Sequence, residues 1–144
     1  MSLAIENRTK IRVNKTDILR ATKKILNALD MKKYSLNIIF VTDSEIRGLN
    51  KQYRKIDKAT DVLSFSLLEG AFSDINPCYE MGDIVISLET ARRRIIKKNN
   101  LTKEIYKLII HGFLHIAGFD HQIKNDTDKM RSMEKKLINL IEQG

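Results

Sequence analysis

All three histidines of this 144-residue chain, His111, His115 and His121, fall in one eleven-residue segment, HGFLHIAGFDH. Their H-x3-H-x5-H spacing restricts the local fold more than any other feature of the sequence. Residues four apart on a helix sit one turn above each other, so His111 and His115 can aim both imidazoles at a common point. Straight continuation of that helix cannot deliver a third ring. Gly118 can take the left-handed conformation that ends a helix and turn the chain back, so that His121 closes the site. Three neutral nitrogens about 2.0–2.1 Å from a zinc ion, with the fourth position left to water, describe a catalytic rather than a closed structural site. Zinc suits the ligand set best, and nickel, copper and iron also accept imidazole. A plainer reading, polar side chains hydrogen-bonded on a partly buried helix, accounts for any one of these histidines. It does not account for three at this spacing with a glycine between them.

The spacing equals that of the metzincin metalloprotease signature H-E-x-x-H-x-x-G-x-x-H, except that Gly112 stands in the place of the glutamate. That glutamate is the general base for attack on an amide, so its absence removes the residue that peptide hydrolysis most needs. A bound zinc ion still lowers the pKa of water to about 7, enough to attack an electrophile that does not require a protonated amine leaving group.

The rest of the chain reads as sheet and helices. We expect strands at Ala4 to Lys10, Leu36 to Val41, Asp61 to Leu67 and Asp83 to Ser87, the last two able to pair as neighbours. Helices are expected at Thr16 to Leu29, from a Thr42–Glu45 capping box to about Tyr53, at Leu88 to Asn99, at Lys103 to Ala117 with Thr102 as cap, and at Asp126 to Gln143. The last should turn Met130, Met133, Leu137 and Leu140 inward. Gly70, Ser73, Asp74, Asn76 and Pro77 make Glu69 to Tyr79 an exposed loop. Strands interleaved with helices, followed by helices alone, predict an α+β fold: a small mixed β-sheet packed with helices. It would carry a zincin-like metal site on a helix and the turn after it. With no repeat, linker or low-complexity tract, one domain spanning residues 1–144 is expected.

Composition limits the setting. The longest stretch free of Asp, Glu, Lys and Arg, Leu108 to Phe119, falls well short of the roughly 20 apolar residues that cross a bilayer. Met1 to Val13 lacks an apolar core followed by a small-residue cleavage site, and the single cysteine, Cys78, fits a reducing compartment. A cytoplasmic protein without a membrane partner is the expectation. Lys and Arg number 26 against 18 Asp and Glu, a net charge of +8 that favours polyanionic partners without naming one. Basic residues cluster at Lys51, Arg54, Lys55 and Lys58, and again at Arg92, Arg93, Arg94, Lys97 and Lys98. Either cluster could follow the phosphates of an RNA strand, though for the second a solvated helix face serves as well.

The segment HGFLHIAGFDH resembles the H-G-x-L-H-x-x-G-[YF]-D-H signature of the YbeY family, metal-dependent endoribonucleases of bacterial ribosomal RNA maturation. Upstream, LNKQYRKIDKATDVLSFSL (Leu49 to Leu67) is similar to that family's LN-x-x-YR-x-x-D-x-x-TDVLSFP block, and MGDIVIS (Met81 to Ser87) to its LGDI-x-I strand. Ala59 and Ser66 depart from it, each standing where many members carry proline. The resemblance implies that His111, His115 and His121 hold the metal and that Arg54 is the family's functionally important arginine. A guanidinium stays ionised and offers two parallel donors to a phosphate that gathers charge under attack, so Arg54 is the candidate catalytic residue. The resemblance also implies ribosomal RNA or other single-stranded RNA as substrate, and small-subunit ribosomal proteins and an assembly GTPase as partners. Asp61, Ser64 and Asp83 lie in the matched blocks and receive no catalytic role. Asp120 either orients an imidazole or is a turn carboxylate.

The leading reading is thus a zinc-dependent endoribonuclease directed at single strands, in which either a water activated at the metal or the substrate's own 2′-hydroxyl attacks. Two alternatives use the same residues. One is a ribosome-assembly module that binds RNA or protein around a structural metal. The other is a different zinc metallohydrolase of the protease kind.

Overall fold

The β-branched and aromatic run ahead of Val41 lies at the centre of the fold. In the computed structural model, which describes residues 3–67, 80–96, 99–118 and 124–142, the strands are β1 (Leu3–Asn7), β2 (Ser35–Val41), β3 (Val62–Ser66) and β4 (Glu80–Ser87). The helices are α1 (Lys15–Ala28), α2 (Asp43–Arg54), α3 (Leu88–Arg93), α4 (Leu101–Ile116) and α5 (Lys124–Glu142). The strands form one mixed sheet in the order β1-β2-β4-β3, with β1, β2 and β4 parallel and β3 antiparallel at the edge. Side chains alternate across a strand, so Leu36, Ile38 and Phe40 join Ile84 and Ile86 in the core shared with α1, α4 and α5. Val41, Val85 and Leu63 belong to a smaller cluster with Ile46 of α2, flanked by Ile39, Leu49 and Phe65. The α+β class and the mixed sheet agree with the sequence reading.

A bulge sets the register where β3 and β2 meet β4. Ser35 pairs with Glu80 and Leu36 with Gly82, leaving Met81 as the extra residue, fully buried in the main core. Gly82 takes φ +139°, and a Cβ there would lie 1.9 Å from the carbonyl oxygen of Phe65. Only glycine permits that approach.

Several expected boundaries move. The first strand stops at Asn7 because Asn7 Oδ1 accepts from the Thr9 amide at 2.9 Å and folds the chain into a side-chain turn. The helix expected to reach Asn99 ends at Arg93, where Arg94 pairs with Asp61. Asn100, rather than Thr102, then caps α4 by accepting from Lys103 N at 2.9 Å. Thr42 caps α2 as expected, but Glu45 meets Arg8 at 2.7 Å. In α5 the inward position falls on Ile141 (8% exposed) and not Leu140 (36%). Eleven residues beyond Met130 complete three turns of 3.6, whereas ten do not. The expected loop from Glu69 to Tyr79, Cys78 included, lies outside the described residues. Among the described residues no helix is long and apolar enough to cross a membrane.

Candidate metal centre and RNA-cleaving site

Helix α4 fixes the first two histidines. Its apolar face packs Ile105, Ile109, Phe113 and Ile116 into the core, which leaves His111 and His115 half-buried and one turn apart. Their rings meet edge to face with centroids 4.6 Å apart, and the two Nε2 atoms stand 3.2 Å from each other. Ligands about 2.0–2.1 Å from one tetrahedral centre are separated by about 3.3–3.4 Å, so this spacing and the imidazole donors fit a shared divalent cation. The helix ends with Ala117 as cap, followed by Gly118 at φ +102°, the conformation required to turn the chain after His115. The third expected ligand, His121, and Asp120 lie outside the described residues. Among the described residues no set of three His, Cys, Asp or Glu side chains forms a site by itself, so of the expected zincin-like centre the structure describes the two helical histidines and no more.

Gly112 explains the missing glutamate. It is buried, and a Cβ on it would lie 3.1 Å from Ile84 Cγ2, closer than side chains normally pack. The helix uses that glycine to approach β4.

Arg54 comes from the other face of the sheet. It is the last residue of α2, where Lys55 adopts the left-handed conformation with φ +61°. The amides of Lys55 and Ile56 return to the carbonyls of Lys51 and Asn50, at 3.2 and 3.3 Å. The buried Asn50 side chain then donates to the Lys58 carbonyl at 2.9 Å, tying down the segment after Arg54. Arg54, His111 and His115 line one cavity of about 440 Å³, whose wall includes Asp61 and Ser64. Of the matched-block residues left without a role, Asp61 and Ser64 therefore face the histidines. Asp83 instead accepts from Asn37 Nδ2 at 2.9 Å.

The carboxylates around the site are held. Asp61 pairs with Arg94 and lines both this cavity and a second one of about 370 Å³ on the far side of His111. Glu134 of α5, which the sequence reading did not single out, places Oε1 3.5 Å from His111 Nδ1. The signal that could have found it is a carboxylate on the buried stripe of α5. In the second basic cluster, Arg93 pairs with Asp43 at 2.7 Å and Arg94 with Asp61, so both serve the fold. Arg92 is exposed, and Lys97 and Lys98 lie outside the described residues. Lys51, Lys55 and Lys58 are exposed beside Arg54. Ser66, at one of the proline positions, directs its hydroxyl to the Ile116 carbonyl at 3.5 Å.

Residues 4–142 match the family profile described as Endoribonuclease YbeY. A curated Endoribonuclease YbeY of Syntrophus aciditrophicus is 39% identical over 98% of this chain and 90% of its own length. That of Clostridioides difficile is 36% identical over 98% and 97%, and that of Aquifex aeolicus 35% over 94% and 89%. The solution structure of a Thermotoga maritima protein superposes with a TM-score of 0.62 at 26% identity, covering 96% of this chain and 88% of the other.

Proposed function

This chain belongs to the endoribonuclease YbeY family, and we propose that it is a metal-dependent enzyme that cuts single-stranded RNA in ribosomal RNA maturation. His111, His115 and His121 would hold one divalent cation, zinc by preference, with nickel or another divalent ion as substitutes. The observation that supports this most directly is the shared cavity: Arg54, from one face of the sheet, opens onto the same space as the paired Nε2 atoms of α4.

A divalent cation at that point supplies polarisation of a phosphoryl oxygen and acidification of water. The remaining work belongs to the chain. Arg54 is exposed at a helix end whose backbone is tied down, which fixes the point from which its side chain reaches into the cavity. It binds the phosphodiester and steadies the charge that builds on its oxygens under attack. The fixed ion pair with Arg94 keeps Asp61 from acting as an uncompensated negative charge in the cavity wall. Lys51, Lys55 and Lys58 extend positive charge away from Arg54, a track for backbone phosphates that reads no sequence. A cytoplasmic enzyme meeting small-subunit ribosomal proteins and an assembly GTPase completes the proposal.

Arg54→Ala should retain bound zinc and lose about 10²–10³-fold in single-strand cleavage, the usual cost of removing one donor to a transition-state oxyanion. His115→Ala should lose both metal and cleavage. Full activity in a rigorously purified Arg54→Ala protein removes Arg54 from the mechanism. RNA binding without cleavage at any metal loading favours the assembly-module reading. Product ends identify the nucleophile, a 2′,3′-cyclic phosphate marking the 2′-hydroxyl and a direct 5′-phosphate marking water.

A further inference from the structure

Glu134 stands where α5 is otherwise apolar. Positions 130, 134, 137 and 141 share one helical face, and Met130, Leu137 and Ile141 on it are buried. A carboxylate on such a face loses solvation and needs a donor to compensate. The Glu134 side chain is 30% exposed, and its polar neighbour among the described residues is the His111 ring, with Oε1 3.5 Å from Nδ1. The neighbouring cations Arg131, Lys135 and Lys136 occupy exposed positions of the helix.

We propose that Glu134 is a positioning residue that holds His111 in its Nδ1–H tautomer, leaving the Nε2 lone pair directed at the point shared with His115. This rests on the metal-site reading above. Two Nε2 atoms 3.2 Å apart cannot both carry protons towards each other, so at least one ring must present a bare nitrogen. A neutral imidazole can place its proton on either nitrogen, and an acceptor at Nδ1 fixes both the choice and the ring rotation. Packing of Met130 and Leu137 sets where Glu134 stands, and α4 sets where His111 stands. The two helices together therefore determine which nitrogen carries the proton.

The test uses the full chain with Glu134→Ala, Glu134→Gln and, as a solvent-side control, Lys135→Ala. Zn²⁺ affinity is read by competition with a chromophoric chelator, and the His111 tautomer by long-range ¹H–¹⁵N spectra of the metal-free protein. Glu134→Ala should bind Zn²⁺ about 10–100-fold more weakly with an unchanged melting temperature. Glu134→Gln, whose carbonyl still accepts from Nδ1–H, should recover part of the loss, and Lys135→Ala should match the native protein. Native His111 should carry its proton on Nδ1 and lose that preference in Glu134→Ala. Native Zn²⁺ affinity in a folded Glu134→Ala protein, or an Nε2–H tautomer of His111 in the native one, overturns the proposal. A native protein that binds no Zn²⁺ overturns the metal-site reading itself, and the proposal with it.

Discussion

Replacing Gly82 with alanine would strike the cavity through its wall. The new Cβ would sit 1.9 Å from Phe65 O and 3.2 Å from Ser66 Cα, both backbone atoms of β3. Carbon and oxygen approach to about 3.3 Å even in favourable contacts, so β3 would have to retreat by roughly 1.4 Å. That movement breaks the 2.8 Å bond from Leu67 N to Met81 O and one adjoining rung of the pairing with β4, at about 1 kcal/mol for each of the two bonds lost. Holding alanine at the positive φ of this position adds about 1–3 kcal/mol. The sum is a destabilisation of about 3–5 kcal/mol. Urea unfolding followed by far-UV circular dichroism reads it directly, and at a slope near 2 kcal/mol/M the midpoint should fall by about 1.5–2.5 M. Because β3 carries Val62 and Ser64 onto the cavity, cleavage by the folded fraction should fall as well. A midpoint within about 0.5 M of the native value, with an unchanged slope, would refute the claim that β3 is pinned against Gly82.

Two further outcomes follow from side chains near the ends of α2 and α4. Burial works to raise the pKa of Asp43, but hydrogen bonds from Ser87, Thr90 and Arg93, with the charge of Arg93, outweigh it and hold the carboxyl below its ordinary 3.8. A lowered folded-state pKa contributes stability that is complete above the unfolded value and is lost as pH falls below it. Asp43→Asn should therefore cost about 2 kcal/mol at neutral pH and flatten the fall in stability below about pH 4, as measured by urea titrations across pH. An unchanged acid limb would rule out Asp43 as its source. Gly112→Glu restores the protease pattern, yet the 3.1 Å approach to Ile84 predicts overpacking of about 1–3 kcal/mol against about 1 kcal/mol gained by removing a helical glycine. A lower melting temperature and no turnover of a peptide panel are expected, and peptide hydrolysis by this variant would show that glycine alone separates the two chemistries.

What could be read from the sequence was what local geometry dictates. The pairing of His111 with His115 needs only the pitch of a helix, and the turn at Gly118 only the freedom of glycine at positive φ. Long-range placement was carried by no such period. Asp61 received no role because Arg94, its partner, lies 33 residues away on a different element. Glu134 was hidden because a stripe of apolar residues predicts a buried face but not the one polar group that face delivers to a histidine. Strand ends were lost for the same reason. The bulge at Met81 breaks the two-residue alternation that would have carried β4 back to Glu80, while Asn7 ends β1 with a side-chain turn that period alone cannot signal.

The site is assembled from opposite faces of the sheet at its β3 edge, and this separates its two arms physically. The histidine arm depends on how closely α4 approaches Ile84 through Gly112. The arginine arm depends on the left-handed Lys55 and the Asn50 clamp at the end of α2, whose apolar side packs against Val41, Leu63 and Val85. Strand β3 is the part common to both, since Leu63 packs toward α2 while Val62 and Ser64 line the cavity beside His111 and His115. On the proposed function, metal affinity and phosphate binding should be alterable one at a time from the helices, whereas displacement of β3 should disturb both together. The edge strand held against Gly82 is what brings two separately anchored groups onto one cavity.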